Sequence, residues 1–430
     1  MSSAAERPLA VASFSHAQAR LERLSMSIAA DDAELHFKVV DDIAALEADW
    51  NTLATRAAYP RQGFQSFAWM RAWAAHYADD GHDLRIVLGY RAGELALIWP
   101  LGLRRRFGIA VLQFLGEPLN QYHDVLIDDD APAQALMTAA LRYVRSLPHD
   151  VLILRRVRED SISAPALLAA GARVDRRERA PFIDFGEAES FETFEASLSP
   201  KTRSNRRRRM RKIEQLGEIT FESQVLPGRA DELIATAMAF KREWALSGGR
   251  YAPAVFDPRF ERCLREAARN PDPRAALRVF AMLCDGRPIG VEIAFGYKRR
   301  LFGHVLAPDP ALSKFGLGNV LADAAIEDAF AQGYQVYDLL APATPHKAVW
   351  TRHSVEVSDF SLAANARGVL AQAFGSKAAD FGRSLAESAP RAVVRALLRR
   401  VARRGEKAGT ASEGRLRPLR EVLDRTRAGR

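Results

Sequence analysis

The chain has 430 residues, more than one hydrophobic core comfortably serves, so two domains are expected. Its 48% hydrophobic and 27% charged residues describe a chain able to bury a large core and exclude wholesale disorder. The net charge of +9 is concentrated: residues 391–430 carry 13 Lys/Arg against 4 Asp/Glu, and residues 201–212 carry 8 Lys/Arg with no acid. The rest is mildly acidic, so the high pI does not by itself mark a nucleic-acid binder.

The first residues, 1–34, are rich in Ala and Ser, lack the apolar core of a secretory signal, and read as a disordered leader. No apolar run reaches the ~20 residues of a membrane-spanning helix. Cys263 and Cys284 cannot form a disulfide framework and lack metal-ligand spacing, so no metal and a reducing, cytoplasmic setting are expected.

Beyond the leader, Phe64, Trp69 and Trp73 recur at helical spacing, a stripe that reads as core or as the lining of an acceptor cleft. Two hairpin patterns follow at a constant offset of 193 residues. Leu84–Leu88, a turn at Ala92-Gly93 and Leu95–Ile98 match Leu277–Ala281, Asp285-Gly286 and Pro288–Val291. Each hairpin is followed by strand, helix, strand: the helix near Ala133–Leu147 with Val151–Leu154, and the helix near Gly318–Gln332 with Val336–Leu340. The pattern predicts an α/β (α+β) class chain of two similar mixed-sheet domains, 35–185 and 186–362. A basic amphipathic tail, 363–404, and a disordered end, 405–430, complete it.

Between the hairpins, Ser199-Pro200 reads as an N-cap and first-turn proline, predicting a helix over Lys201–Leu216 whose cations are mostly solvated. Lys241, Trp244 and Arg250 lie near a helix end as candidate substrate contacts. In Ile289–Phe295 the acid Glu292 interrupts an apolar strand, and His304 lies on the next strand beside Gly303, a candidate bulge. The run Lys314-Phe315-Gly316-Leu317-Gly318-Asn319 then opens a helix with bare backbone, which suits a phosphorylated ligand at the positive end of the helix dipole. The first half has no such glycine pair after Leu115-Gly116, so a phosphate cradle is expected only in the second. Asp338 interrupts the strand Val336–Leu340, and Lys347 is its expected partner or a contact for a substrate anion. In the tail, Val393, Val394, Leu397, Leu398 and Val401 form one arc and Arg391, Arg395, Arg399 and Arg403 the opposite one, a pattern suited to an anionic membrane surface.

Taken together, several segments resemble the GNAT acyltransferase superfamily, specifically its tandem CelD-like branch, named for cellulose biosynthesis and related to FemAB-like peptidyltransferases. The segments are Phe64-Gln65-Ser66-x-x-Trp69-x-x-x-Trp73, Ser199–Lys212, Gly286-x-Pro288-Ile289-Gly290, Phe315-Gly316-x-Gly318-Asn319, Tyr337–Leu340 and Lys347-x-x-Trp350. The resemblance implies transfer of an acyl group, from acetyl-CoA or another acyl-CoA, to an amine or hydroxyl of a sugar-bearing or other envelope acceptor. The diphosphate would sit on the amides of Gly316 and Gly318, with Val305 and Leu306 beside the thioester. Asp338, Glu292 or His304 would handle the proton, and Trp350 would be a further substrate contact. The superfamily's phosphate loop begins with Gln or Arg three residues before its first glycine, where this chain has Ser313. Two alternatives follow from the same cousins: a peptidyltransferase drawing on aminoacyl-tRNA, and a non-catalytic assembly protein for a polysaccharide machine. The expected location is cytoplasmic, peripheral to the inner membrane.

Overall fold

The computed structural model describes residues 26–30, 33–57, 60–78, 81–128, 132–186, 188–223, 225–248, 252–270, 272 and 275–373. The leader up to residue 25, Arg250, the amphipathic arcs of the tail and residues 405–430 lie outside the described residues. The chain divides into two compact units. One holds residues up to 74, 78–178 and 356–374; the other holds 75–77 and 179–355 among the described residues.

The first unit's sheet runs β1 (Met26–Ala30), β2 (Ala33–Val40), β3 (Asp83–Arg91), β4 (Glu94–Arg106), β5 (Ile109–Phe114), β7 (Val151–Arg158) and β14 (Ser354–Ala363), with the short β6 (Leu126–Ile127) on β4. Every neighbour is antiparallel except the pair β5/β7, which is parallel and is joined by a crossover through α3 (Ala133–Ser146). Seven of the fourteen residues of α3, among them Leu136, Met137 and Val144, are buried against this sheet, as its apolar periodicity requires. Helices α1 (Glu47–Arg56), α2 (Phe67–Tyr77) and α4 (Ser163–Ala169) complete the unit.

In the second unit the order is β8 (Arg173–Asp184), β13 (Val336–Asp338), β12 (Arg300–Pro308), β11 (Arg287–Tyr297), β10 (Ala275–Cys284) and β9 (Ile219–Glu222). Here the parallel pair is β12/β13, crossed over by α9 (Leu317–Ala331). The 193-residue offset carries the start of β4 onto the start of β11, and both hairpins turn on two residues of positive φ, Ala92-Gly93 and Asp285-Gly286. Helices α5 (Phe191–Ala196), α6 (Pro200–Glu214), α7 (Pro227–Gly248) and α8 (Pro258–Arg269) precede the hairpin. Helix α6 starts as its sequence demands, with the Ser199 hydroxyl accepting the Thr202 N–H at 3.1 Å and Pro200 in the first turn.

The expected domain limits, 185/186 and 362, compare with divisions at 178/179 and 355/356. The difference comes from strand pairing. The strand following β7 in sequence, β8, pairs with β13, while the strand following β13, β14, pairs with β7. Each sheet is thus completed by a strand from the other half of the sequence.

The aromatic stripe is interior to the first unit. Phe64, Trp69 and Trp73 are buried; Trp69 Nε1–H donates to Asn120 Oδ1 at 2.7 Å and Trp73 Nε1–H to Glu117 O at 2.8 Å. Phe64 meets Trp69 and Tyr122 edge to face. This corrects the expectation that they line a cleft: both indole N–H groups are spent on the loop that follows β5. In that loop a Cβ on Gly116 (φ +103°) would fall 2.2 Å from Asn120, so the side chain of Asn120 fills the space over the glycine. Replacing Asn120 with Ala leaves the buried Trp69 N–H without this acceptor. We expect a loss of about 1–3 kcal/mol in urea unfolding followed by tryptophan fluorescence.

Candidate functional site

The site forms where β12 parts from β13. Their parallel register covers only Arg300↔Val336, Leu301↔Tyr337 and Phe302↔Asp338, and β12 continues to Pro308 without a partner on that edge among the described residues. Against β11 the register slips between Ile293↔Val305 and Ala294↔Gly303, which makes His304 the extra residue of a β-bulge. The bulge expected at Gly303 is there. An unpartnered strand edge leaves backbone N–H groups free to meet a ligand, and a bulge re-aims them.

Gly303 is small for a definite reason. A Cβ there would sit 3.0 Å from Tyr337 Oη and 3.1 Å from Glu292 Oε1. Through that gap the Tyr337 hydroxyl on β13 donates to the Glu292 carboxylate on β11, passing over β12. Glu292 is buried and its carboxyl is pushed up to about 7 from 4.5; burial raises it, the Tyr337 hydrogen bond lowers it, and Asp328 raises it. Burial, and next the charge of Glu292, hold the Tyr337 phenol well above its ordinary value. Of the two expectations for Glu292, the solvated one gives way: the side chain is buried and lines a small cavity together with Arg278, Asp328 and Tyr334. Tyr337 belongs to the Tyr337–Leu340 segment of the sequence pattern, which by itself assigns it no role. Period-2 alternation with Asp338 sends the two side chains to opposite faces of β13, and that could have singled it out.

Asp338 is fully buried, and its partner is Arg300, with Nη1 to Oδ2 at 2.8 Å; its other oxygen, Oδ1, accepts the Leu340 N–H at 3.0 Å. Arg300 lies over the rings of Phe182 and Phe302. Both oxygens are therefore engaged, which suits Asp338 to holding the end of β13 more than to accepting a substrate proton. Lys347 Nζ donates to the carbonyls of Leu340 (2.8 Å) and Pro342 (3.0 Å), closing the turn after β13. His304 is half-buried, its ring 5.9 Å from that of Phe260 on α8. Val305 is buried opposite Ile293, and Leu306 pairs with Glu292.

Beyond Pro308, one 3₁₀ turn, Pro310–Phe315, leads to Gly316 at φ +73°, the left-handed residue on which α9 starts. Gly318 faces Pro308, whose Cγ a Cβ would meet at 3.3 Å. Among the first N–H groups of α9, that of Asn319 is turned back onto Gly316 O at 3.0 Å. Lys314 lies 5.1 Å over the Phe315 ring. The space above Gly316 opens toward Arg209 of α6, whose Cδ would be 3.9 Å from a Cβ at that position. Arg209 makes no hydrogen bond or ion pair with the described residues, although Asp323 feels its charge.

The neighbouring cation of α6 has a different task. Arg206 donates to Glu195, lies 3.6 Å from Asp323 and 3.8 Å from Glu327, and stacks 4.5 Å over the Trp350 ring. Trp350 is buried and stacked on Phe194, so it is a floor for Arg206, not the substrate contact expected of it. Asp323, buried beside this cluster, is pushed up to about 7 by burial, against the lowering pull of Arg206 and Arg209. An open cleft of about 450 Å³ adjoins it, lined by Arg206, Met210, Phe221, Phe280 and Asp323 among others. Lys241 lies 4.8 Å over the Trp244 ring, and Trp244 packs on Ala245 and Phe256.

Residues 200–348 match the family model of the Acetyltransferase (GNAT) domain. No curated protein matches the chain. Among solved structures, FemX shares 12% identity over 70% of this chain and 92% of its own, with a TM-score of 0.50, which shows a common fold. The C-terminal (DUF2156) domain of a putative lysylphosphatidylglycerol synthetase from Agrobacterium fabrum aligns at 10% identity over 80% of this chain and 97% of its own (TM-score 0.49). A tandem GNAT protein from the clavulanic acid biosynthesis pathway aligns at 12% over 77% and 99% (TM-score 0.44). The GNAT fold expected from the sequence is therefore present, and the matched span contains α6, the bulge, the glycine turn and β13.

Two outcomes follow from the buried charges. The folded state keeps a proton on Glu292 up to about pH 7, whereas the unfolded chain releases it near 4.5. The resulting stabilisation, up to about 3 kcal/mol, is fully present below pH 4.5 and is lost as pH rises through 7. Glu292→Gln mimics the protonated acid, so its urea midpoint should fall less between pH 5 and pH 8 than that of the parent protein. Asp323 contributes in the same direction and leaves a residual slope. Asp338→Asn leaves the part-buried Arg300 without this counter-ion, which should cost about 3 kcal/mol in the same assay.

Proposed function

We propose that the second unit transfers an acyl group from an acyl-CoA, acetyl-CoA being the simplest donor, to an amine or hydroxyl of an acceptor. The observation that carries this is the parting of β12 from β13 after Phe302↔Asp338, with the freed edge leading directly to the left-handed Gly316 at the start of α9. A thioester lying in that gap meets strand N–H groups near Val305 and Leu306, and its diphosphate meets the positive end of α9. The family match over residues 200–348 supports the same reading. The acceptor class, a sugar- or amine-bearing envelope precursor, rests on the CelD-like resemblance of the sequence.

In the transfer the acceptor nitrogen or oxygen attacks the thioester carbonyl, and the oxyanion is held by β12 amides around the bulge. The C–S bond then breaks and CoA leaves as its thiolate. The proton lost by the acceptor is taken by Glu292, whose carboxyl titrates near neutrality at the bulge, and is returned to the thiolate. Tyr337 fixes the carboxylate by its hydrogen bond. Arg209 supplies the cation for the diphosphate that Ser313 does not, reaching the glycine turn from α6.

A melting-temperature screen with free CoA, acetyl-CoA and longer acyl-CoAs tests the donor. A ligand at 100 times its Kd adds about 2.7 kcal/mol, and a flat response to every thioester would sink the proposal. Arg209→Gln should weaken CoA binding about tenfold or more, with Arg208→Gln on the same helix as the unaffected control. Once a substrate pair is in hand, kcat should rise through pH 7, and Glu292→Gln should remove that rise while the same change at His304 leaves it in place.

A further inference from the structure

We propose that one end of the first unit's sheet is a docking surface for anionic phospholipid. It is independent of the transfer reading and rests on residues that reading does not use. The β4/β5 hairpin turns at Phe107-Gly108, with φ +50° and +79°, just beyond the pair Arg106↔Ile109. Phe107 is 105% exposed, the most exposed large apolar side chain among the described residues, and it follows Arg104-Arg105-Arg106 directly.

Register places other elements at the same end. In the parallel pair β5/β7, Val111 aligns with Val151, so β7 starts where β5 starts, next to the hairpin tip. In the antiparallel pair β7/β14, Val151 aligns with Ala363, so β14 ends there. Asp150 ties the three together. Its Oδ2 accepts the Ala110 N–H (2.7 Å), its Oδ1 accepts from Asn365 Nδ2 (2.9 Å), and its carbonyl accepts the Ala364 N–H (2.9 Å). Residues 366–373 are helical and start directly against it, leaving no room for a side chain at Gly368. From this short helix Val369 and Leu370 are each 58% exposed, with Arg367 exposed beside them.

Charge selects the partner. Residues 103–110, 145–151 and 363–373 hold five arginines, Arg104, Arg105, Arg106, Arg145 and Arg367; the acids at this end are Asp150, held by Ala110 and Asn365, and Asp83, which aligns with Leu103 and is paired with Arg85, so the arginines stay in excess. Exposed aromatic and aliphatic side chains ringed by arginine suit a surface that is negatively charged outside and apolar beneath, which an anionic bilayer provides. Further along the sequence, residues 391–430 carry 13 Lys/Arg against 4 Asp/Glu.

The test is sedimentation of the full chain with vesicles of equal parts phosphatidylglycerol and phosphatidylcholine, and with phosphatidylcholine alone. Binding is expected to the anionic vesicles and to fall with added salt. Phe107→Ser should weaken it about tenfold. Arg105→Gln with Arg106→Gln should weaken it about twentyfold and flatten the salt dependence. These side chains are exposed, so unchanged melting temperatures will confirm that the fold is kept. Failure of the parent chain to sediment with anionic vesicles overturns the proposal. So does parent-like binding by Phe107→Ser, which would assign any binding to the tail. A drop in solution mass on Phe107→Ser, with vesicle binding unaltered, overturns it in favour of a contact between copies of the chain.

Discussion

A hydrogen bond crossing a strand organises the second unit. Tyr337 on β13 reaches Glu292 on β11 over the backbone of β12, which is possible only where β12 carries no side chain. Gly303 provides that opening, and the extra residue His304 immediately after it bends β12 away from β13. The same local change thus has two consequences. It buries an acid with a phenol as its partner, and it leaves the rest of β12 with an edge that no strand occupies among the described residues. A buried carboxylate without a donor would be costly, so the pair and the opening depend on each other.

The two units show what separates a scaffold from a site when architecture is shared. Both cross over from a hairpin-borne strand to a parallel neighbour, β5 to β7 and β12 to β13, and both have a glycine of positive φ in the connecting loop. After β5 that glycine, Gly116, is covered by Asn120, which is held by Trp69. His123 stacks on Phe114 close by, and burial pushes its imidazole down to about 4, so it is neutral near pH 7. After β12 the matching glycine, Gly316, has open space with only Arg209 and Asn319 at its margin. Side chains fill the first loop and leave the second bare. No rearrangement of backbone topology is needed to cover one glycine and leave the other open.

Much of this was legible in the sequence, for physical reasons. Hairpin turns demanding positive φ, alternation in the strands and the serine–proline start of α6 are local signals, and the elements follow them closely. The glycine pair at the start of α9 and the bulge at Gly303 were visible for the same reason. Partners distant in sequence were not. Lys347 was expected to serve Asp338 because it is near in the chain, but parallel pairing brings Arg300 from the start of β12 alongside it. The exchange of β8 and β14 between sheets was likewise hidden, because a strand's sequence records its faces and not its neighbour. Phe64, Trp69 and Trp73 illustrate a third limit: helical spacing revealed one face of a helix but not whether that face looked inward.

The basic residues show why net charge is a poor guide to partners. In the run from Lys201 to Lys212, Arg206 is consumed internally by Glu195, Asp323, Glu327 and the ring of Trp350, while Arg209, one turn on, is left beside the glycine turn. Guanidinium groups so close in sequence are separated by a helical rotation that sends one into the interior and holds the other at its edge. Arg105 and Arg106 belong to a third environment, an exposed hairpin tip adjoined by an exposed phenylalanine, where the carboxylate that feels the charge of Arg105, Asp150, is already held by Ala110 and Asn365. One counted as surplus charge is structural, another stands beside the open glycine turn, and a third group frames an apolar tip. The surplus becomes informative only after each cation's carboxylates have been found, because the cations that remain unmatched are those with binding energy left to give.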